Sequence, residues 1–156
     1  MKKLENKVAI VTGGARDLGR AVSLKMAEAG AKVVINYFDN EQDAIDTQAL
    51  IAQMGGESII VQGDMTKAAD VKRIVEEAVK AFGNEIHVLV NVVGGIVGRK
   101  KITEQDEDWY NFLMDVNMKS CWLCTREVVP FMPKGASIIN FSSLAARDGG
   151  GPGASM

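Results

Sequence analysis

Apolar residues along the chain fall into two alternating patterns, short unbroken runs and longer stretches in which they return every three or four positions. The runs Val8-Ala9-Ile10-Val11, Lys32-Val33-Val34-Ile35-Asn36-Tyr37, Ser58-Ile59-Ile60-Val61-Gln62, Val88-Leu89-Val90-Asn91 and Ala136-Ser137-Ile138-Ile139-Asn140-Phe141 predict strands. Between them lie predicted helices. The first has Leu18, Ala21, Val22, Leu24 and Met26 as its apolar face and stops at Gly30; the next follows a cap at Asp39 or Asn40, buries Ala44, Ile45, Ala49, Ile51 and Met54, and ends at Gly55-Gly56. The clearest amphipathic repeat is Val71, Ile74, Val75, Ala78, Val79 and Phe82, with Gly83 beyond it.

Gly94 to Ile102 reads as a loop, after which Thr103 and Asp106 predict a capping box and Trp109, Phe112, Leu113 and Val116 an inward face. Helical character runs on through Trp122, Leu123, Val128 and Val129 to Pro130, predicting one long helix disturbed near Asn117. Strands that are almost wholly apolar and alternate with helices imply a parallel sheet covered on both faces. The predicted fold is α/β, a doubly wound, Rossmann-like parallel sheet of five strands in the order 3-2-1-4-5.

A length of 156 residues with 47% hydrophobic content suits one domain spanning 1–156. The 18 basic and 20 acidic residues are well mixed, net charge −2, which leaves no cationic face for nucleic acid. The apolar run behind the basic N-terminus is too short for a signal-peptide core or a membrane span, so the expectation is a soluble, cytoplasmic protein. Cys121 and Cys124 have the spacing of a redox or metal motif, but they sit inside an apolar helical run, and the lone His87 adds too few ligands for a metal. Buried thiols are the better reading, no metal is expected, and His87 reads as structural.

Chemistry concentrates where strands end. In Thr12-Gly13-Gly14-Ala15-Arg16-Asp17-Leu18-Gly19, a strand enters a glycine turn and leaves as a helix. Gly13 and Gly19 permit a tight turn and a close backbone approach, and the opening helix presents unpaired N–H groups suited to an anion. The same glycines could serve only to pack strand against helix. In a doubly wound sheet, ligands sit at the carboxyl ends of the strands near the switch between strands one and four, and Asp64, Asn91 to Gly95 and Ser142-Ser143 fall at that edge too.

These residues resemble the short-chain dehydrogenase/reductase family, and within it the 3-oxoacyl carrier-protein reductases or sugar-alcohol dehydrogenases, over essentially the whole chain. The glycine turn resembles the family's Thr-Gly-x-x-x-Gly-x-Gly, Gly63-Asp64-Met65-Thr66 the segment that holds the adenine end, and Asn91-Val92-Val93-Gly94 the Asn-Asn-Ala-Gly motif. Asp115-Val116-Asn117 is similar to the stretch carrying the catalytic Asn, and Ile139-Asn140-Phe141-Ser142-Ser143 to the strand ending in the catalytic Ser. The resemblance implies hydride transfer between a nicotinamide dinucleotide and a small carbonyl or alcohol substrate, in a homo-oligomer. It implies Ser143 as donor to the substrate oxygen and Asn117 in a proton relay, with Gly13, Arg16, Leu18, Gly19, Asp64, Met65, Asn91 and Gly94 at the cofactor. NAD and NADP both remain open; Arg16 favours NADP, whereas Phe38 does not, and Asp39 could bind a ribose hydroxyl.

The sequence departs from the family pattern in two places. The family's Tyr-x-x-x-Lys would fall at or just past Met156, and the tyrosines here are Tyr37 and Tyr110, so the 156 residues are expected to be inactive alone and to lack the family's later strands. The apolar side of the helix carrying Cys121, Trp122 and Val128 would then be uncovered and prone to associate. The alternative is a non-catalytic nucleotide-binding or interaction domain on the same scaffold. In addition, Asp17 stands where the family has its middle glycine. A carboxylate about 5 Å from a phosphate costs roughly 3 kcal/mol at an effective dielectric near 20, about a hundredfold in affinity. Alternatively, Asp17 turns outward or caps the helix.

Overall fold

In a computed structural model that describes residues 2–151, each apolar run becomes a strand of a single sheet. The elements are β1 (Val8–Thr12), α1 (Asp17–Glu28), β2 (Lys32–Tyr37), α2 (Glu41–Gln53), β3 (Ser58–Gln62), α3 (Ala68–Phe82) and β4 (Val88–Asn91), then α4 (Glu107–Met114), α5 (Ser120–Val128), β5 (Ser137–Asn140) and the short α6 (Ala145–Asp148). The five strands are parallel and ordered β3-β2-β1-β4-β5, as predicted. Thr12 is opposite Asn91, and Asn91 opposite Asn140, so the carboxyl ends of β1, β4 and β5 lie side by side.

Side-chain alternation along the strands divides the core into two layers. Ile10, Val34, Val61 and Leu89 meet Val71, Ile74, Val75 and Ala78 of α3 and Leu123, Cys124 and Val128 of α5. On the opposite face, Ala9, Val11, Val33, Ile35 and Val90 meet Ala27 of α1 and Ala44 and Ile51 of α2. Each fully buried Val, Ile or Leu stabilises this arrangement by about 2 kcal/mol before the entropy of ordering is subtracted.

Helix faces differ in places from the predicted ones. In α1 the buried residues are Gly19, Ser23 and Ala27, while Leu18 is 65% exposed and Ala21 faces solvent. Small residues point inward because this helix lies close over the β1 turn. In α2 Ala44 and Ile51 are buried as expected, but Thr47 takes the third place and Ile45, Ala49 and Met54 are exposed. Asn40, not Asp39, caps that helix, its side chain accepting from the Asp43 N–H at 3.2 Å.

The predicted capping box at Thr103 and Asp106 is replaced by two separate devices. Lys101 and Glu104 bracket a single 3₁₀ turn, Ile102–Glu104, and Asp106 caps α4 by accepting from the Trp109 N–H at 2.8 Å. On α4 only Leu113 is fully buried, and Phe112, expected inside, is exposed. The predicted disturbance of the long helix is a π-helical segment, Asp115–Lys119, joining α4 to α5 with helical backbone on either side. On α5 the uncovered apolar residue is Trp122, its ring under the Arg126 guanidinium at 4.9 Å; Val128 is buried in the core. The last strand is shorter than predicted, and its four residues are all exposed at the edge of the sheet. Among those residues no helix is long and apolar enough to cross a membrane.

Candidate functional site

The glycine turn after β1 is held in place by its neighbours. Gly13 has φ +59°, a region open to glycine, and its N–H donates to Asn36 Oδ1 at 3.0 Å; the Gly14 N–H donates to the Asn36 carbonyl at 2.8 Å. The Ala15 carbonyl accepts from Thr47 Oγ1 at 2.7 Å and Arg20 Nε at 3.0 Å, and the Ser23 hydroxyl donates to the Gly14 carbonyl at 2.9 Å. Side chains of α1, α2 and β2 thus grip the turn from behind.

Its front is left open. A Cβ on Gly19 would collide with the Gly13 carbonyl, and one on Gly14 would lie 2.7 Å from Ser23 Oγ, so the turn and the start of α1 approach as closely as backbone allows. Among the described residues, the backbone N–H groups of Asp17, Leu18 and Gly19 make no hydrogen bond, as the first turn of a helix requires. Unpaired donors at a helix start, in a cradle that side chains would fill, suit a phosphate group. These amides, rather than those of Gly13 and Gly14, are the available ones. Leu18, wrong as a core residue, therefore fits through its backbone.

Asp17 is the other non-obvious feature of this turn. Its φ is +48°, the left-handed region that favours glycine, which fits a position where the family pattern has one. Its side chain is 86% exposed and pairs loosely with Arg16, Nε to Oδ2 3.8 Å, so the carboxylate turns outward.

Asp64 follows β3 at the same sheet edge. Its Oδ1 accepts from the Thr66 N–H at 2.8 Å and the Thr66 hydroxyl at 2.7 Å, while its N–H donates to Asp70 Oδ2 at 2.9 Å. Asp64 Oδ2 takes no hydrogen bond among the described residues. Met65, 3% exposed, packs into the core with the Cys124 thiol 3.6 Å from its sulfur, which leaves only its backbone for a ligand.

At β4 the Thr12 hydroxyl accepts from the N–H groups of Val92 and Val93, at 3.0 and 3.2 Å, and so fastens the end of β1 to the chain leaving β4. Asn91 donates through Nδ2 to Asn140 Oδ1 at 2.9 Å, yet its own buried Oδ1 has no partner among the described residues. Further on, Asn117 clamps the loop: Oδ1 accepts from the Gly95 N–H at 2.7 Å, and Nδ2 donates to the carbonyls of Gly95 at 3.2 Å and Leu113 at 3.1 Å. Gly94 has φ +150°, and a Cβ there would sit 3.0 Å from Asn117 Oδ1. Asn117 lies within the π-helical segment, a local irregularity of the kind that recurs at functional sites. Ser143 is exposed beyond β5, its hydroxyl accepting from the Ala145 N–H at 3.2 Å.

The structure thus brings the glycine turn, Asp64, Asn91, Gly94 and Ser143 to the carboxyl end of the sheet, with Asn117 reaching that edge through Gly95. Asn36 and Thr12 were not picked out from the sequence as tethers. The usable signal was a polar residue in an apolar strand, since both are buried, at 1% and 2% exposure. Three further titratable groups noted in the sequence have structural surroundings. His87 accepts from the Val8 N–H through Nδ1 at 3.2 Å; burial, and then Lys7, lower its pKa. Tyr37 is a core residue whose hydroxyl donates to Glu41 at 3.3 Å, and burial, followed by Glu41, raises its pKa. Burial, then the neighbouring Cys121, pushes the Cys124 thiol up to about 12.

Comparison with known proteins places this geometry. An uncharacterized oxidoreductase of Methylorubrum extorquens is 38% identical over 144 residues, 92% of this chain and 57% of that protein. The NADH-dependent reductase A1-R′, described as responsible for alginate metabolism and solved with NAD, superposes with a TM-score of 0.91 at 30% identity, covering 98% of this chain and 66% of that one. A short chain dehydrogenase from Burkholderia cenocepacia J2315 solved with NADP gives a TM-score of 0.90 at 26% identity, over 97% of this chain and 61% of the other. The chain therefore spans a little over half the length of the first of these relatives. The short chain dehydrogenase family profile matches residues 7–155, from before β1 to beyond α6, and the chain belongs to that family.

Proposed function

We propose that this chain is the dinucleotide-binding part of an NAD(P)-dependent oxidoreductase that transfers hydride between nicotinamide and a small carbonyl or alcohol. The observation that carries the reading is the run of unpaired N–H groups from Asp17 to Gly19, at the sheet edge that also holds Asp64, Asn91 and Ser143. The Leu18 and Gly19 amides hold the diphosphate, and Arg16, 64% exposed and only loosely paired with Asp17, reaches a 2′-phosphate. That contact is what supports reading NADP ahead of NAD. Asp64 Oδ2 accepts from the adenine amino group beside the Met65 backbone. Asn91, with its unpartnered Oδ1, and Gly94 line the cleft.

When bound, the nicotinamide supplies the hydride. The Ser143 hydroxyl donates a hydrogen bond to the substrate oxygen, and Asn117, fixed to Gly95, steadies the relay that brings the proton. Without a Tyr-x-x-x-Lys in these 156 residues, proton donation to that oxygen is assigned to none of them. The exposed Tyr110, Phe112, Met118 and Trp122 on and between α4 and α5 are assigned to self-association. NADPH and NADH titrations followed by nicotinamide fluorescence test the reading. Saturable binding, tighter for NADPH and without carbonyl turnover, is the expected result. No binding would remove the assignment.

The second reading is a non-catalytic nucleotide-binding or interaction domain on the same scaffold. A polypeptide that contains this chain and reduces carbonyls in a Ser143-dependent manner would exclude it.

A further inference from the structure

Asn36 is the polar member of an otherwise apolar run from Val33 to Ile35, at the carboxyl end of β2 and 1% exposed. A β-branched residue there would suit the strand better, since a buried amide is costly unless its donors and acceptors are all engaged. Both ends of this amide are engaged, on opposite sides of β2. Toward β1, Oδ1 accepts from the Gly13 N–H at 3.0 Å. Toward β3, Nδ2 faces the carbonyls of Gly63 at 3.0 Å, Tyr37 at 3.2 Å and Val61 at 3.4 Å.

The contacts with Gly13 and Gly63 lie beyond the regular ladders, which end at Ile35 opposite Val11 and at Tyr37 opposite Gln62. Asn36 is paired in register with Val61, so the strand itself takes care of its own backbone groups up to that point. What the side chain adds is a bridge from the phosphate-type turn at Gly13 to Gly63, the residue before Asp64. The Gly63 N–H also donates to the Tyr37 carbonyl at 2.9 Å, so Gly63 is held at both its amide and its carbonyl. Few side chains could do this. The bridge needs an acceptor and a donor on one short planar group, which a Ser, Asp or Leu lacks in that arrangement.

Resting on the dinucleotide reading above, we propose that Asn36 is a positioning residue that sets the spacing between the diphosphate turn and the adenine-recognising Asp64 segment, without touching the ligand. A ligand that spans both places gains from that preset spacing, because neither segment has to be ordered on binding. A ligand that touches one place gains little.

The test compares ADP, which spans both places, with adenosine and inorganic pyrophosphate, which each reach one, on the wild-type chain, Asn36→Leu and Ile51→Val. The last variant loosens the α2 core and touches neither segment. Asn36→Leu is expected to weaken ADP about tenfold and adenosine or pyrophosphate by less than about twofold, while Ile51→Val leaves all three unchanged. Equal ADP affinity for Asn36→Leu and wild type, or the same loss for all three ligands, would overturn the positioning role and leave the dinucleotide reading standing. Wild-type chain that binds no ADP and no NADH would overturn both. Should Asn36→Leu not fold, the wild-type chain decides by NMR. The Asn36 side-chain amide is expected to be protected from hydrogen exchange before any ADP is added, and rapid exchange of that amide in the ADP-free chain overturns the proposal.

Discussion

Replacing Asp17 by Asn and by Gly separates the charge of this residue from its backbone. The charge argument made on sequence places a carboxylate about 5 Å from a phosphate at an effective dielectric near 20, a cost of roughly 3 kcal/mol. The structure changes the dielectric rather than the sign. With its side chain 86% exposed and turned outward beside Arg16, Asp17 interacts through water, and the same separation at a dielectric near 80 costs only about 0.8 kcal/mol, or about fourfold in affinity. Both Asp17→Asn and Asp17→Gly are therefore expected to tighten NADPH about fourfold at low ionic strength, with the gain about halved in free energy at physiological salt.

The backbone effect is read separately. Asn tolerates the left-handed φ of +48° about as well as Asp, whereas Gly removes that strain, of about 1 kcal/mol, and gives back a similar amount through greater freedom of the unfolded chain. Urea denaturation should thus place both variants within about 1 kcal/mol of the wild type. Fluorescence titration across a salt series measures the affinity part. Unchanged affinity at low salt for both variants would refute the repulsion, and a hundredfold gain would refute the outward-facing carboxylate.

Gly19→Ala puts a methyl group into the Gly13 carbonyl and is expected to cost about 3 kcal/mol in chemical denaturation and to abolish dinucleotide binding; a silent substitution would show that the turn is looser than its contacts imply. The His87 pKa is lowered, first by burial and then by Lys7, so the unfolded chain takes up its proton first. Unfolding free energy should therefore fall as pH drops through the ordinary His range near about 6.5 and stop falling below the folded value, and His87→Gln, compared in urea titrations from high to low pH, should lose that part of the slope. With the Cys124 thiol pushed up to about 12 by burial, a maleimide at pH near about 8 should label Cys121 alone in the folded chain and both thiols in urea, as read by mass; rapid labelling of Cys124 would contradict its place in the core.

The strand order and the sheet edge that gathers the candidate residues were legible in the sequence because each rests on a local signal. Apolar runs such as Val8 to Val11 need burial on both sides, helices between them force parallel crossovers, and a glycine turn at the end of the first strand marks the ligand edge. The inward faces of α1 and α2 were legible only in part. Periodicity ranks residues by hydrophobicity, while the helices lie so close to the turn that Gly19, Ser23 and Thr47 pack inward and Leu18 and Ile45 are displaced to the surface. Long-range tethers escaped for a different reason. Asn36 meets Gly13 and Gly63, Thr12 meets Val92, and Asn117 meets Gly95, at separations of 22 to 80 residues, and no local pattern encodes which distant amide a buried oxygen will accept from. By itself the amino-acid sequence determined which segments are strands and where the phosphate-type turn lies, since propensity and patterning act over a few residues. Only the tertiary structure decided which side chains hold that turn open and which way Asp17 points, because those outcomes depend on what the fold brings alongside.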